Sequence, residues 1–228
     1  MLAAIALTPS PPVLVPELAG TAAAEVADLR DAVTAAAAAL PKRWIAIGVG
    51  PSDRVIGPGS AGTFAGFGVD VRVQLSPGAP ATVTEMPLCA LFTGWLRGRA
   101  NPSASAEVRV YAGDHGVDAA LARGRELRAD IDLATDSVGV LVVADGANSL
   151  TPAAPGGYDP QAADVQHALD EALASGDAAA LTRLPGSVVG RVALQVLAGL
   201  AEPAPRSATE LYRGAPYGVG YFAGVWQP

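Results

Sequence analysis

The chain has 228 residues, half of them hydrophobic, with a formal net charge of −7 and Lys42 as its only lysine. That length buries a full core as one domain, and no Gly/Ser linker or charge run divides it. The scarcity of basic residues excludes a phosphate-backbone partner, so no nucleic-acid role is expected.

The apolar run Leu2 to Leu7 reads as a buried strand and ends in TPSPPVLVPELAG, where Pro9, Pro11 and Pro12 forbid helix and remove backbone donors. Ser10 is thus held in a stiff, extended loop. The run has no basic flank and is too short for the apolar core of a signal peptide. A helix is predicted from Thr21 to Leu40, with Val26, Leu29 and Val33 on one face and Pro41 as its stop. Trp44 to Val49 is a second buried strand. Val69, Val71, Val73 and Leu75 alternate with polar residues, which predicts a strand wet on one side and near a sheet edge.

A helix over 86–97 follows, its apolar pattern including Cys89, the single cysteine, which reads as a structural thiol in a cytoplasmic protein. Then come strand Glu107 to Tyr111, a helix over 117–129 and the fully apolar strand Val138 to Ala144. Asp159 and Pro160 open a helix running to Ser175, and Asp177 and Ser187 read as caps of two more. The most apolar helical stretch, 187–200, contains Arg191 and is too short to span a bilayer, so no membrane partner is expected. Thr209 to Arg213, the turn GAPYG and Val219 to Trp226 form a terminal hairpin. The order of elements predicts a single α/β domain: a mostly parallel or mixed central sheet, helices on both faces and a C-terminal hairpin.

Ligands of open α/β sheets bind beyond the carboxyl ends of the strands. Four such ends supply Ser10, then Ser52 and Asp53, then Asp114 and His115, then Asp145, Asn148 and Ser149. These eight are expected to line one cleft. His115 stands in a Gly-flanked loop near Asp114 and Asp118, which suits it to proton transfer or to a structural pairing with a neighbouring aspartate. His167 falls with Asp164 and Glu171 on the polar side of its helix. Gly57, Gly59 and Gly62 fit a dinucleotide fingerprint in spacing only, since Pro58 interrupts it and no helix follows. No Cys/His cluster has zinc spacing.

Taken in order, PSPPVLVPELAG, GPSD, GDHGVD, ADGANSLTPAAPGGYDPQAADV and APYGVGYFAGVW resemble the class III extradiol ring-cleavage dioxygenases, of the protocatechuate 4,5-dioxygenase catalytic-subunit type. The resemblance covers nearly the whole chain. It implies Fe(II) chemistry on two histidines and a carboxylate, yet Ser10 and Ser52 occupy the places of those histidines and Ser149 that of an acid/base histidine, while Asp114 and His115 match a surviving Asp-His turn. It also implies that Tyr217 closes the cleft. Hydroxyls are poor Fe(II) donors beside imidazole.

Three readings follow. In the first, the protein has the dioxygenase fold without ring cleavage or a bound cofactor, and keeps a small-molecule or assembly role. In the second, Asp53, Asp114 and Asp145, with His115, hold a hard cation such as Mg²⁺ or Mn²⁺. The third is a dioxygenase with an atypical iron site. A homo-oligomer stays open.

Overall fold

A computed structural model describes residues 1–228, and they form one α/β domain. Its centre is a seven-stranded mixed sheet. In chain order the strands of the whole molecule are β1 (Leu2–Thr8), β2 (Arg43–Gly50), β3 (Arg54–Ile56), β4 (Ala61–Thr63), β5 (Arg72–Gln74), β6 (Ser105–Ala112), β7 (Val138–Val143), β8 (Ser207–Gly214) and β9 (Tyr221–Gln227). The large sheet runs β3-β6-β2-β7-β1-β9-β8. β6, β2, β7 and β1 are parallel, and β3, β9 and β8 pair antiparallel. The hairpin β8–β9 thus continues the sheet beside β1, with β9 buried against it and β8 at the exposed edge.

The helices are α1 (Pro16–Ala19), α2 (Ala27–Ala38), α3 (Leu88–Ala100), α4 (Val117–Asp132), α5 (Ala162–Ser175), α6 (Ala178–Leu181) and α7 (Arg191–Leu200). Two hydrophobic clusters separate along the period-2 alternation of the strands. Leu141 and Val143 face α2 and α3, where Leu29, Val33, Phe92 and Leu96 are buried. Val138, Val140 and Val142 face α4, α5 and α7, where Leu127, Leu169 and Leu197 are buried. Burial on both faces explains why these central strands read as unbroken apolar runs. The tightest helix crossing joins α4 and α7. A Cβ at Gly124 would stand 2.1 Å from the Val196 carbonyl oxygen, and one at Gly199 2.2 Å from that of Leu121.

Several expected boundaries move for local reasons. Residues 21–25 do not join α2: Gly20–Ala24 is a 3₁₀ turn without a buried residue, and the helix starts once Val26 anchors it. The 69–75 strand contracts to β5 and pairs with β4 in a separate two-stranded sheet, so it is no edge of the central one. Ser187 caps nothing. Amide groups of Val189 and Gly190 donate to the carbonyls of Gly146 and Asp145, which holds that segment against the β7 loop and delays α7 to Arg191. Asp159 accepts the Gln161 amide at 2.9 Å in a turn that precedes α5, and Asp177 caps α6 through Ala180 as expected. Cys89 is buried, with its thiol pushed up to about 11 by desolvation. No helix is long and apolar enough to cross a membrane.

Candidate functional site

The carboxyl ends of β1, β7, β2 and β6 lie along one edge of the sheet because these strands are parallel neighbours. All eight strand-end residues therefore reach that edge, but they form two groups. β2 and β7 separate β6 from β1. Three strand spacings of roughly 4.8 Å put the outer members about 14 Å apart. Their hydrogen bonds sort them about two carboxylates, Asp145 and Asp53.

The first group surrounds Asp145, two residues beyond β7. Its Oδ1 accepts the Ser10 amide at 2.8 Å, a contact set by the parallel register of Thr8 with Val143. Ser10 is buried. The Asp145 backbone is locked as well: its carbonyl accepts from Gly190, Gly146 donates to Gly220, and Gly220 donates to Ala147. Gln166, buried on α5, accepts the Ala147 amide at 2.8 Å and donates to Asp170 at 2.7 Å. Burial pushes the Asp145 carboxyl up to about 6, against the opposing pull of the Ser10 amide and hydroxyl. Tyr221, buried on β9, has its phenol raised first by desolvation and then by the Asp145 charge.

Ser149 is buried and Asn148 half-buried; they shape the following loop, their carbonyls accepting the amides of Asp159 and Gly156. The turn carrying Tyr217 packs on this loop through the Leu150 amide and the Gly218 carbonyl. Tyr217 itself is in the left-handed region (φ 60°, ψ 21°), and its hydroxyl donates to Glu25 at 2.7 Å. A bulky side chain in that conformation is a strained feature of the kind concentrated at binding sites.

The second group surrounds Asp53. One oxygen, Oδ1, accepts the Ala112 amide at 2.8 Å and lies 2.7 Å from His115 Nε2, while Oδ2 lies 3.4 Å from Arg123 Nη2. The Ala112 amide, followed by His115 and Arg123, holds the Asp53 carboxyl below its ordinary range. Arg191 fixes the His115 loop by donating to the carbonyls of His115 and Gly113, both at 3.2 Å. So the partner of His115 is not a flanking aspartate. The register of Gly50 with Ala112 brings the turn after β2 beside the loop after β6, whereas Asp114 and Asp118 are exposed. A cavity of about 290 Å³ adjoins Asp53 and is walled by Arg54, Arg109, Tyr111, Arg123 and Glu126. Ser52 is exposed and borders a smaller cavity of about 120 Å³ with Arg54, Met86 and Pro87.

The Asp53/Asp114/Asp145 cation site is not assembled. Asp53 turns toward β6, Asp114 faces solvent and Asp145 is tied to Ser10; no three His, Cys, Asp or Glu side chains are grouped to hold a metal ion. Four residues that complete these groups were not singled out in the sequence: Glu25, Arg123, Arg191 and Tyr221. Tyr221 lies in a stretch the family resemblance marks, Arg123 lies on α4 directly after the His115 loop, and Glu25 and Arg191 sit near helix starts distant in the chain from the residues they meet.

No protein-family model matches the chain, and no curated protein matches it. Among solved structures it is similar to a chain from Escherichia coli K12 described as uncharacterized protein JW3007. The TM-score is 0.62 at 11% sequence identity, over 99% of this chain and 100% of that one. At that identity the likeness establishes a shared fold and nothing about chemistry.

Proposed function

We propose that the chain is a divergent class III extradiol dioxygenase-like protein that does not carry out Fe(II)-dependent ring cleavage and binds a small ligand beside Asp145. One observation carries this reading. The carboxyl edge holds a single imidazole, His115, whose Nε2 is engaged by Asp53 at 2.7 Å, while the ionisable group bonded to the Ser10 amide is the carboxyl of half-buried Asp145. Neutral hydroxyls at Ser10 and Ser52 do not replace imidazole as iron donors. A carboxyl whose ionisation is opposed by desolvation is a functional-site signal, and near neutrality it either accepts or donates a hydrogen bond. Tyr221, whose phenol is raised in part by the Asp145 charge, and the strained Tyr217 turn, which packs on the loop after Asp145, support the same placement.

Fe(II) titration by anaerobic calorimetry, with catechol turnover as a second readout, tests the reading. The unmodified protein is expected to bind no stoichiometric iron and to open no ring. Ser10→His with Ser52→His is expected to introduce measurable Fe(II) affinity. Tight stoichiometric iron in the unmodified protein would overturn the proposal.

A further inference from the structure

A second site lies away from the carboxyl edge, between the small β4–β5 sheet and α3. A cavity of about 300 Å³ is walled there by Val73, Pro80, Val83, Trp95, Arg97 and Gly98. This volume is at the lower end of the range of small-molecule pockets, about 300–1,000 Å³. Its walls are largely apolar, and Val83 is 38% exposed at its rim.

Arg97 gives the cavity its chemistry. The residue is only 6% exposed, and its guanidinium is fixed by backbone carbonyls alone: Nε donates to Gln74 at 2.8 Å, and Nη1 donates to Pro102 at 2.7 Å and Ala104 at 3.3 Å. No carboxylate acts on it; burial is the one influence on its ionisation. An arginine stays charged in a protein, so this is a buried cation without a counter-ion. Nη2 makes none of these bonds, yet no side-chain nitrogen of the chain is both sealed from solvent and unpartnered. Nη2 therefore keeps contact with solvent, and Arg97 is among the residues that line the cavity. Arg72, which also lines the cavity, forms an exposed pair with Asp70 at 3.4 Å, and Arg99 lies over the Trp95 ring at 5.2 Å.

We infer that this cavity binds a small monocarboxylate with an apolar body, the carboxylate on Arg97 Nη2 and the body against Val73, Val83 and Trp95. The charge-assisted hydrogen bond would replace the missing counter-ion, and the apolar walls would select against a bare anion.

Calorimetric titration of the full chain with hexanoate tests this, with hexanamide and acetate as analogues lacking the charge and the apolar body. Hexanoate is expected to bind at one site, at least tenfold more tightly than either analogue, and to shift the Trp95 indole resonance. Gly98 lines the cavity and a Cβ there meets nothing within 4 Å, so Gly98→Leu adds bulk at the cavity wall without displacing a neighbour. That variant should keep its unfolding midpoint and lose at least tenfold in hexanoate affinity. Ala81→Leu adds bulk at another residue lining the same cavity and should do likewise. Hexanoate binding weaker than about 10 mM, equal binding of hexanamide, equal binding of acetate, or undiminished binding by both filled variants would each overturn the inference.

Discussion

Asp145→Asn isolates the cost of a buried acid, because asparagine keeps an oxygen for the Ser10 amide and cannot ionise. The carboxyl rises from an ordinary 3.8 to about 6 in the folded chain. A difference of about two units at about 1.36 kcal/mol each comes to about 3 kcal/mol. The sign follows from proton binding. Below pH 3.8 the acid is protonated in folded and unfolded chains alike, and its contribution is fully present. Between 3.8 and about 6 the unfolded chain ionises first, so stability falls as the pH rises, and above about 6 the loss is complete. Asp145→Asn should match the parent near pH 4 and exceed it by about 2–3 kcal/mol at pH 8. Urea unfolding at pH 4, 5, 6, 7 and 8, with equal m-values in both proteins, measures the difference directly. A difference independent of pH, or a parent protein more stable than the variant at pH 8, would refute the burial argument.

Other perturbations read other parts of the molecule. Asp53→Ala removes the acceptor of the Ala112 amide and should cost about 1 kcal/mol at pH 7 in urea unfolding. Because the folded Asp53 carboxyl is held below 3.8, this difference should vanish as the pH falls through that range. Gly124→Ala drives a Cβ into the Val196 carbonyl and should cost about 3 kcal/mol, lowering the calorimetric midpoint by about 6–12 °C. Gly98→Ala, in open space on α3, should be neutral or slightly stabilising in the same measurement. At the left-handed Tyr217, replacement by valine should be less stable than replacement by glycine by about 1–2 kcal/mol. Both variants lose the hydroxyl contact with Glu25, so the comparison reports the backbone alone.

The central strands were legible because burial on both faces leaves a continuous apolar run, as in VGVLVV of β7. The hairpin β8–β9 was legible because the turn GAPYG sits between TELYR and the largely apolar VGYFAGVW. Partnership was not. Alternation over 69–75 records one wet face but not which strand lies alongside, and β5 pairs with β4 outside the main sheet. The same limit governs the site. Each strand end was located by its own residues, whereas the lateral order that sets β2 beside both β6 and β7 is a property of the packed sheet. Hence Asp114 and Asp118 were the visible neighbours of His115, although its bonded partner is Asp53, 62 positions away. Arg191 opens a helix whose remaining residues are buried, so its reach to the His115 loop could not be read from helical spacing.

The prolines around Ser10 explain why that position matters without invoking a metal. Proline has no amide hydrogen, so between Pro9 and Pro12 only Ser10 offers one. The parallel pairing of β1 with β7 brings that hydrogen to the Asp145 carboxyl at 2.8 Å. The acid cannot relieve its burial by moving, because the amides of Gly146, Gly190 and Gly220 tie the loop to β9 and to the entrance of α7. Nor can β1 retreat, since it pairs with β7 on one side and β9 on the other. The desolvation cost therefore remains stored at the carboxyl, except where a proton or a hydrogen-bond donor meets it. A ligand that presents such a donor to Asp145 would relieve a cost the fold has already taken on. A ligand that presents an acceptor would be held by the protonated form, and its affinity would fall as the pH rises through about 6.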